Sequence, residues 1–301
     1  MAWTSDLIPD QHGRTFVITG ANGGLGTELT RALAARGATV VMACRDTTAA
    51  QRIADRLGGD ISVAPLDLAD LSSVRRFARH CGDIDVLINN AGLMNVPFAR
   101  TADGFERHLA VNHLGHFALT GLLLDRLRDR VVSVSSIAHG WTRSLRTDDP
   151  GFEHRRFVRP LAYAESKLAT LMFGRELQHR FRESSAPLKS FTAHPGIAPT
   201  KLVARTETPL DLVAEPFIRL IGQSRSAAAQ SILFAAAATD ADPEIYWGPT
   251  RMFNTRGPVG PSPSSRLSRD RAHGLRLWGM SERATGVRYR TSTREAVRED
   301  Q

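Results

Sequence analysis

Tyr163 and Lys167, in Tyr163-Ala-Glu-Ser-Lys167, stand one helical turn apart and project from the same face of a helix. A free phenol titrates near ~10 and exchanges protons poorly at neutral pH. An ammonium held nearby favours the phenolate and is expected to lower that value. The pair is therefore a candidate general acid and base, given a carbonyl and a redox partner beside it. Upstream, Ser133-Val-Ser-Ser136 ends an apolar run. Its last hydroxyl, Ser136, can hydrogen-bond a carbonyl oxygen as negative charge builds there, or it can simply form a turn.

The redox partner is indicated by Thr19-Gly-Ala-Asn-Gly-Gly-Leu-Gly26, where a first strand gives way to a first helix. Gly20 permits a tight turn, Gly24 lets backbone approach a pyrophosphate, and Gly26 lets the helix lie close to the sheet. With Asn22 and Leu25 in the same turn, the helix start offers unpaired N–H groups to phosphates. An NAD site commonly carries a carboxylate at the end of the second strand to bond the ribose hydroxyls. Here Ala43-Cys44-Arg45 presents a guanidinium, so NADP(H) is expected over NAD(H), with Arg45 on the 2′-phosphate. The alternative leaves Arg45 in solvent and Asp46 on the ribose. Asp67, followed by Leu68 after the third strand, can accept from an adenine amino group or cap the helix starting near Leu71. Asn89-Asn-Ala-Gly92 closes the fourth strand with small residues, so Asn90, Ala91 and Gly92 can lie against a cofactor.

Around these groups short apolar runs alternate with helical periodicity. Strands are expected at residues 14–19, 39–43, 61–65, 86–89, 131–135 and 189–193. Helices are expected at 25–36, 49–57, 71–80, 105–127, 163–181, 224–238 and 266–282. The pattern predicts an α/β fold, a single doubly wound Rossmann-type domain over residues 13–287 with a mostly parallel, about seven-stranded sheet. Residues 196–223 are partly apolar and interrupted by proline, which suits a substrate lid or an ordinary pair of surface helices. Residues 257–265 read as a loop, and 288–301 as a basic tail outside the domain.

The formal charge of +8 does not read as a nucleic-acid footprint. Much of it sits in residues 251–301, where eleven Arg face five Asp or Glu with no binding motif or stacking pattern. Two cysteines make a disulfide framework an unattractive reading and suit a cytoplasmic protein. No apolar run reaches the ~18 residues of a membrane span, and the chemistry calls for no metal.

Taken in order, these motifs resemble the short-chain dehydrogenase/reductase family over roughly residues 13–287. Ala43-Cys-Arg45, Val134-Ser-Ser-Ile-Ala-His139, Tyr246-Trp-Gly-Pro-Thr-Arg-Met-Phe253 and Leu277-Trp-Gly-Met-Ser-Glu282 are similar to the retinol-dehydrogenase-like and WW-domain-oxidoreductase-like branch. Protochlorophyllide reductases are similar over much of the same stretch. The resemblance implies that Asn112, in Val111-Asn-His-Leu-Gly-His-Phe117, is the catalytic asparagine, anchoring a water on a proton path from Lys167. It implies Lys167 on the nicotinamide ribose. From His194-Pro-Gly-Ile-Ala-Pro-Thr200 it implies Ile197 and Thr200 at the carboxamide. Two departures stand out. The interval from Ser136 to Tyr163 is longer than in the wider family, so residues 137–162 are expected to shape the pocket mouth. Gly23 stands where a basic or hydroxyl residue is frequent, which leaves Arg45 to carry the NADP argument. The implied activity is hydride transfer between nicotinamide and a lipophilic carbonyl or alcohol. Reduction of a carbon–carbon double bond and a catalytically silent nucleotide-binding protein are the alternatives. The resemblance also implies association of copies through helices 105–127 and 163–181.

Overall fold

The computed structural model describes residues 3–197 and 222–289. The chain opens with β1 (Thr15–Thr19), α1 (Gly24–Ala34), β2 (Thr39–Cys44), α2 (Thr47–Leu57), β3 (Ile61–Pro65), α3 (Leu71–His80) and β4 (Ile84–Asn89). It continues through α4 (Arg107–Leu109), a π-helical turn (Ala110–Leu114), α5 (Gly115–Leu123), β5 (Leu127–Val134), α6 (Arg159–Glu183) and β6 (Lys189–Ala193). The C-terminal part holds α7 (Arg225–Ala237), β7 (Tyr246–Arg251), β8 (Arg256–Pro261) and α8 (Arg271–Thr285).

The sheet runs β3-β2-β1-β4-β5-β6-β7-β8, and only β8 is antiparallel to its neighbour. Successive strand residues face opposite ways. Phe16, Ile18, Val40 and Met42 therefore join the core under α1, α2 and α7, while Val17, Leu87 and Val131 join the core under α3, α5 and α6. Strand order reverses between β1 and β4, and that switch point opens the crevice in which such sheets bind ligands.

The predicted doubly wound sheet is present, with differences that have local causes. Where a proline- and glycine-rich loop was expected over 257–265, β8 pairs with β7 through Trp247↔Pro261 and Pro249↔Val259. It is an edge strand, so its prolines sacrifice no ladder bond on the open side. The continuous helix expected at 105–127 is broken by the π-helical turn that carries Asn112, and the charged segment before residue 131 already belongs to β5. Arg130 is tolerated there because its guanidinium donates to the Ala235 and Ala238 carbonyls.

The ordered body also continues past the expected boundary at Val287. Tyr289, assigned from sequence to the tail, is 3% exposed and donates its hydroxyl to the Phe117 carbonyl at 2.6 Å. It joins Phe117, Phe173 and Trp278 in a ring cluster with centroids 4.6 to 6.3 Å apart. Aromatic contacts of this kind add about 0.5–1.5 kcal/mol per pair beyond the burial of their area. Through Trp278 and Leu277, α8 packs against α5 and α6. Among the described residues, no helix is long and apolar enough to cross a membrane.

Candidate active site

The nucleotide end of the crevice is built from backbone. Gly20 turns the chain with φ at +62° and donates its N–H to Ala43, holding the turn to the end of β2. A Cβ on Gly26 would lie 2.5 Å from the Gly20 carbonyl oxygen and 2.6 Å from the Ala21 Cα, so a larger residue there forces the helix away. The N-cap of α1 is Gly23, which has no side chain to accept from the first-turn amides, whereas α2, α3 and α7 are capped by Asp46, Asp70 and Ser224. Thr19 Oγ1 accepts from the amides of Asn90 and Ala91, both at 2.9 Å, and the Asn90 side chain donates back to the Thr19 carbonyl. The ends of β1 and β4 are thereby clamped together on either side of the crevice. Asn22 donates its side-chain amide to the Asp46 carbonyl at 3.3 Å, and Leu25 sits half-buried in the first turn of α1.

Farther along the edge, Arg45 is exposed immediately after β2, and Asp46 engages a carboxylate oxygen with the Ala49 amide. Asp67 accepts from Ala69 at 2.9 Å, while the cap of α3 is Asp70, so the capping alternative for Asp67 is overturned. Leu68 points its side chain into the core and leaves only backbone for a nucleotide. Ile197 donates its N–H to Thr255 and accepts from Gln223, so both of its main-chain groups are tied within the protein rather than turned to a carboxamide. Thr200 and residues 198–221 of the expected lid lie outside the described residues.

The other end is built from side chains. Ser136 ends the β5 segment in extended conformation and starts a 3₁₀ turn, its Oγ accepting from Ala138 at 3.2 Å. That hydroxyl also lies close enough to Tyr163 to favour its phenolate, so the turn reading and the hydroxyl reading are compatible. Tyr163, Ser166, Lys167 and Thr170 line one face of α6, as an i, i+3, i+4, i+7 spacing requires. Lys167 Nζ donates to the Val134 carbonyl at 2.9 Å, and a Cβ on Gly92 would lie 3.4 Å from it. The ammonium thus faces the crevice where the Asn-Asn-Ala-Gly segment crosses.

Asn112 is held on every side. Its Oδ1 accepts from Leu93, and its Nδ2 donates to the Leu93 carbonyl and to Ser166 Oγ. Its main-chain carbonyl accepts from Thr170 Oγ1 at 3.0 Å and faces His116 Nδ1 at 3.2 Å. The π-helical turn frees this carbonyl for side-chain partners, since it interrupts the regular bonding of the helix.

Electrostatics depart from the expectation for the tyrosine. Burial raises the Tyr163 pKa, and the nearby Ser136 hydroxyl opposes that shift. Lys167 does not lower it, because the ammonium is turned to the Val134 carbonyl. Burial also brings Lys167 down to about 8. The resting site therefore holds a protonated phenol beside an ammonium that titrates unusually close to neutrality.

These residues fit a nicotinamide dinucleotide. Added Cβ atoms would fill the glycine cradle, α1 begins without a side-chain cap, and a hydroxyl, a phenol and an ammonium gather at the far end. The sequence is 38% identical over 290 residues to retinol dehydrogenase 12 of Homo sapiens, covering 92% of this chain and 88% of that protein. The chain belongs to the short-chain dehydrogenase/reductase family. Its match to the short chain dehydrogenase family model spans residues 14–147. An uncharacterised protein of known structure from Mycobacterium paratuberculosis is 43% identical, with a TM-score of 0.84 over 96% of this chain and 99% of that one. A 3-ketoacyl-(acyl-carrier-protein) reductase from Brucella melitensis, solved with NADH, shares the fold at a TM-score of 0.58 and 22% identity over 75% of this chain and 92% of that one. This member, in the retinol-dehydrogenase-like branch, is an oxidoreductase that acts on CH–OH groups with a nicotinamide cofactor.

Two parts of the dehydrogenase escaped attention in the sequence. His139 Nδ1 donates to the Ser136 carbonyl at 2.6 Å and its Nε2 accepts from the Ser265 amide, tying the catalytic-edge turn to the C-terminal segment. The two rings of His139 and His194 also flank buried Tyr246 at 5.4 and 4.9 Å. The only sequence signal for His139 was its position three residues after Ser136. In sequence Thr19 is only a letter of the glycine motif, whereas its hydroxyl organises the opposite strand end.

Proposed function

We propose that the dehydrogenase interconverts a lipophilic alcohol and its carbonyl with NADP(H), using Tyr163 as general acid and base. The observation that carries the reading is the placement of buried Tyr163 and Lys167 on one face of α6, with Lys167 Nζ reaching the Val134 carbonyl two residues before Ser136. The nicotinamide, bound in the crevice, supplies or accepts the hydride. Ser136 holds the substrate oxygen, and Tyr163 delivers the proton to it or takes it away. Burial keeps the phenol protonated, so in the reductive direction the acid arrives loaded. Lys167 provides positive charge against the developing oxyanion and orients the ribose. Asn112, clamped by Leu93 and Ser166, fixes the separation of the π-helical turn from α6.

The NADP(H) preference is supported by exposed Arg45 after β2 and by the engagement of Asp46 as a helix cap. The lipophilic substrate is supported by the retinol named for the similar human enzyme. It is also supported by exposed Phe98, Trp141, Val158 and Leu161, with Phe98, Phe157 and Phe152 in edge contact at 5.1 Å. The test is dinucleotide consumption with NADP(H) and NAD(H) in parallel across alcohols and carbonyls of increasing chain length, in wild type and Tyr163→Phe. Turnover should collapse in the variant by about a hundredfold or more, while dinucleotide affinity stays within about twofold of wild type. Retained turnover in Tyr163→Phe rejects the acid–base assignment, and equal rates on short polar substrates reject the lipophilic class.

A further inference from the structure

A second helix begins beside the glycine turn. Both α1 and α7 link parallel strands and pack on the same sheet face, so their N-termini point to the same edge of the sheet. Ser224 caps α7 through the Ala227 amide at 3.1 Å. The next residue, Arg225, is exposed, and its side chain folds back over the glycine turn. A Cβ on Gly24 would lie 2.9 Å from Arg225 Nε, 3.0 Å from Cδ and 3.2 Å from Cζ. A guanidinium thus rests above the residue through which backbone approaches a pyrophosphate, over amides that Gly23 leaves without a side-chain cap.

We infer that Arg225 is a ligand of the cofactor pyrophosphate, an assignment that rests on the nicotinamide-dinucleotide reading of this crevice. The planar fork can bond two phosphate oxygens at once, and the positive end of the α1 dipole favours negative charge at the same place. Its role differs from that proposed for Arg45. Arg45 follows β2, at the adenosine end, and discriminates by the 2′-phosphate. Arg225 lies at the turn that serves NAD and NADP alike, so it contributes to both without choosing between them. Nothing in the sequence signals this, because the glycine turn and Arg225 are about two hundred residues apart and only the packing of α7 along α1 brings them together.

The assignment is tested by titrating full-length wild type, Arg225→Ala and Arg225→Lys with NADP⁺, NAD⁺ and adenosine 2′-monophosphate, following binding by calorimetry. Loss of a charge-assisted bond should weaken both dinucleotides by a similar factor, about tenfold. Adenosine 2′-monophosphate, which lacks the pyrophosphate, should bind unchanged, and Arg225→Lys should recover part of the loss. Unchanged dinucleotide affinity in Arg225→Ala, or a loss confined to ligands with a 2′-phosphate, would overturn the assignment. So would a fall of several degrees in the melting temperature of unliganded Arg225→Ala, which would make the residue a structural prop. A wild-type protein that binds neither dinucleotide would overturn the cofactor reading and this assignment together.

Discussion

Along one sheet edge, the ends of β1 and β2 and the ends of β4 and β5 are made of opposite materials. The first pair is lined mainly with main chain: at Gly20, Gly24 and Gly26 an added methyl group would enter space already bordered by other atoms. The second pair presents side chains, Ser136, Tyr163 and Lys167, and on the proposed mechanism its chemistry is lost by removing atoms. One half is therefore the more sensitive to growth, and the other to truncation.

That contrast can be attacked from both ends. Gly26→Val should have the greatest consequence, because the first branch atom would have to enter space 2.5 Å from the Gly20 carbonyl. Dinucleotide affinity should fall by a hundredfold or more, about 3 kcal/mol, measured by the same titration, and binding near wild-type strength would refute the cradle. At the other end, Ser136→Ala should cut kcat by about 10²–10³, as loss of an oxyanion partner does, with dinucleotide affinity preserved. Equal damage to binding and turnover would show that the halves are not separable.

The side-chain half also carries the more acid-sensitive packing. His113 and His116, in and beside the π-helical turn, and His194, at the end of β6, are buried and held neutral, with pKa values near 3 because burial disfavours the imidazolium. The unfolded chain takes up these protons near pH 6.5, so between 6.5 and 3 it binds more protons than the fold does. Stability is then complete above about 6.5 and declines as the pH drops, by about 2 kcal/mol per histidine at pH 5. Denaturant melts monitored by circular dichroism at pH 7.5 and pH 5 measure this directly, and identical midpoints would contradict the burial. The mildest change should come from Arg45→Ala. It should weaken NADP⁺ by about tenfold and NAD⁺ hardly at all, shifting selectivity without touching kcat.

The same contrast explains what could be read from the chain before its structure. Main-chain sites write themselves plainly in glycine, so the turn at Gly20 and its place after β1 followed from spacing alone. The apolar strands were readable for the same local reason. Tyr163, Lys167 and Ser136 were readable by chemical type, but the direction of the ammonium was not. It depends on the Val134 carbonyl, a contact made across β5 that no local pattern encodes. The strand β8 was hidden because Pro258 and Pro261 look like loop residues unless the edge position is known. The break at Asn112 was hidden because a π-helical turn has no distinct periodicity over five residues. His139 and Arg225 needed the tertiary fold, since each acts on a segment far away in sequence.

The burial of Tyr289 has a practical corollary for anyone shortening or fusing this protein. A terminus cut at residue 287 would remove the donor to the Phe117 carbonyl and leave a void against Trp278. The expressed product would then tend to unfold or clump for reasons unrelated to catalysis. Shortened versions should keep the phenol, and any purification tag belongs beyond it.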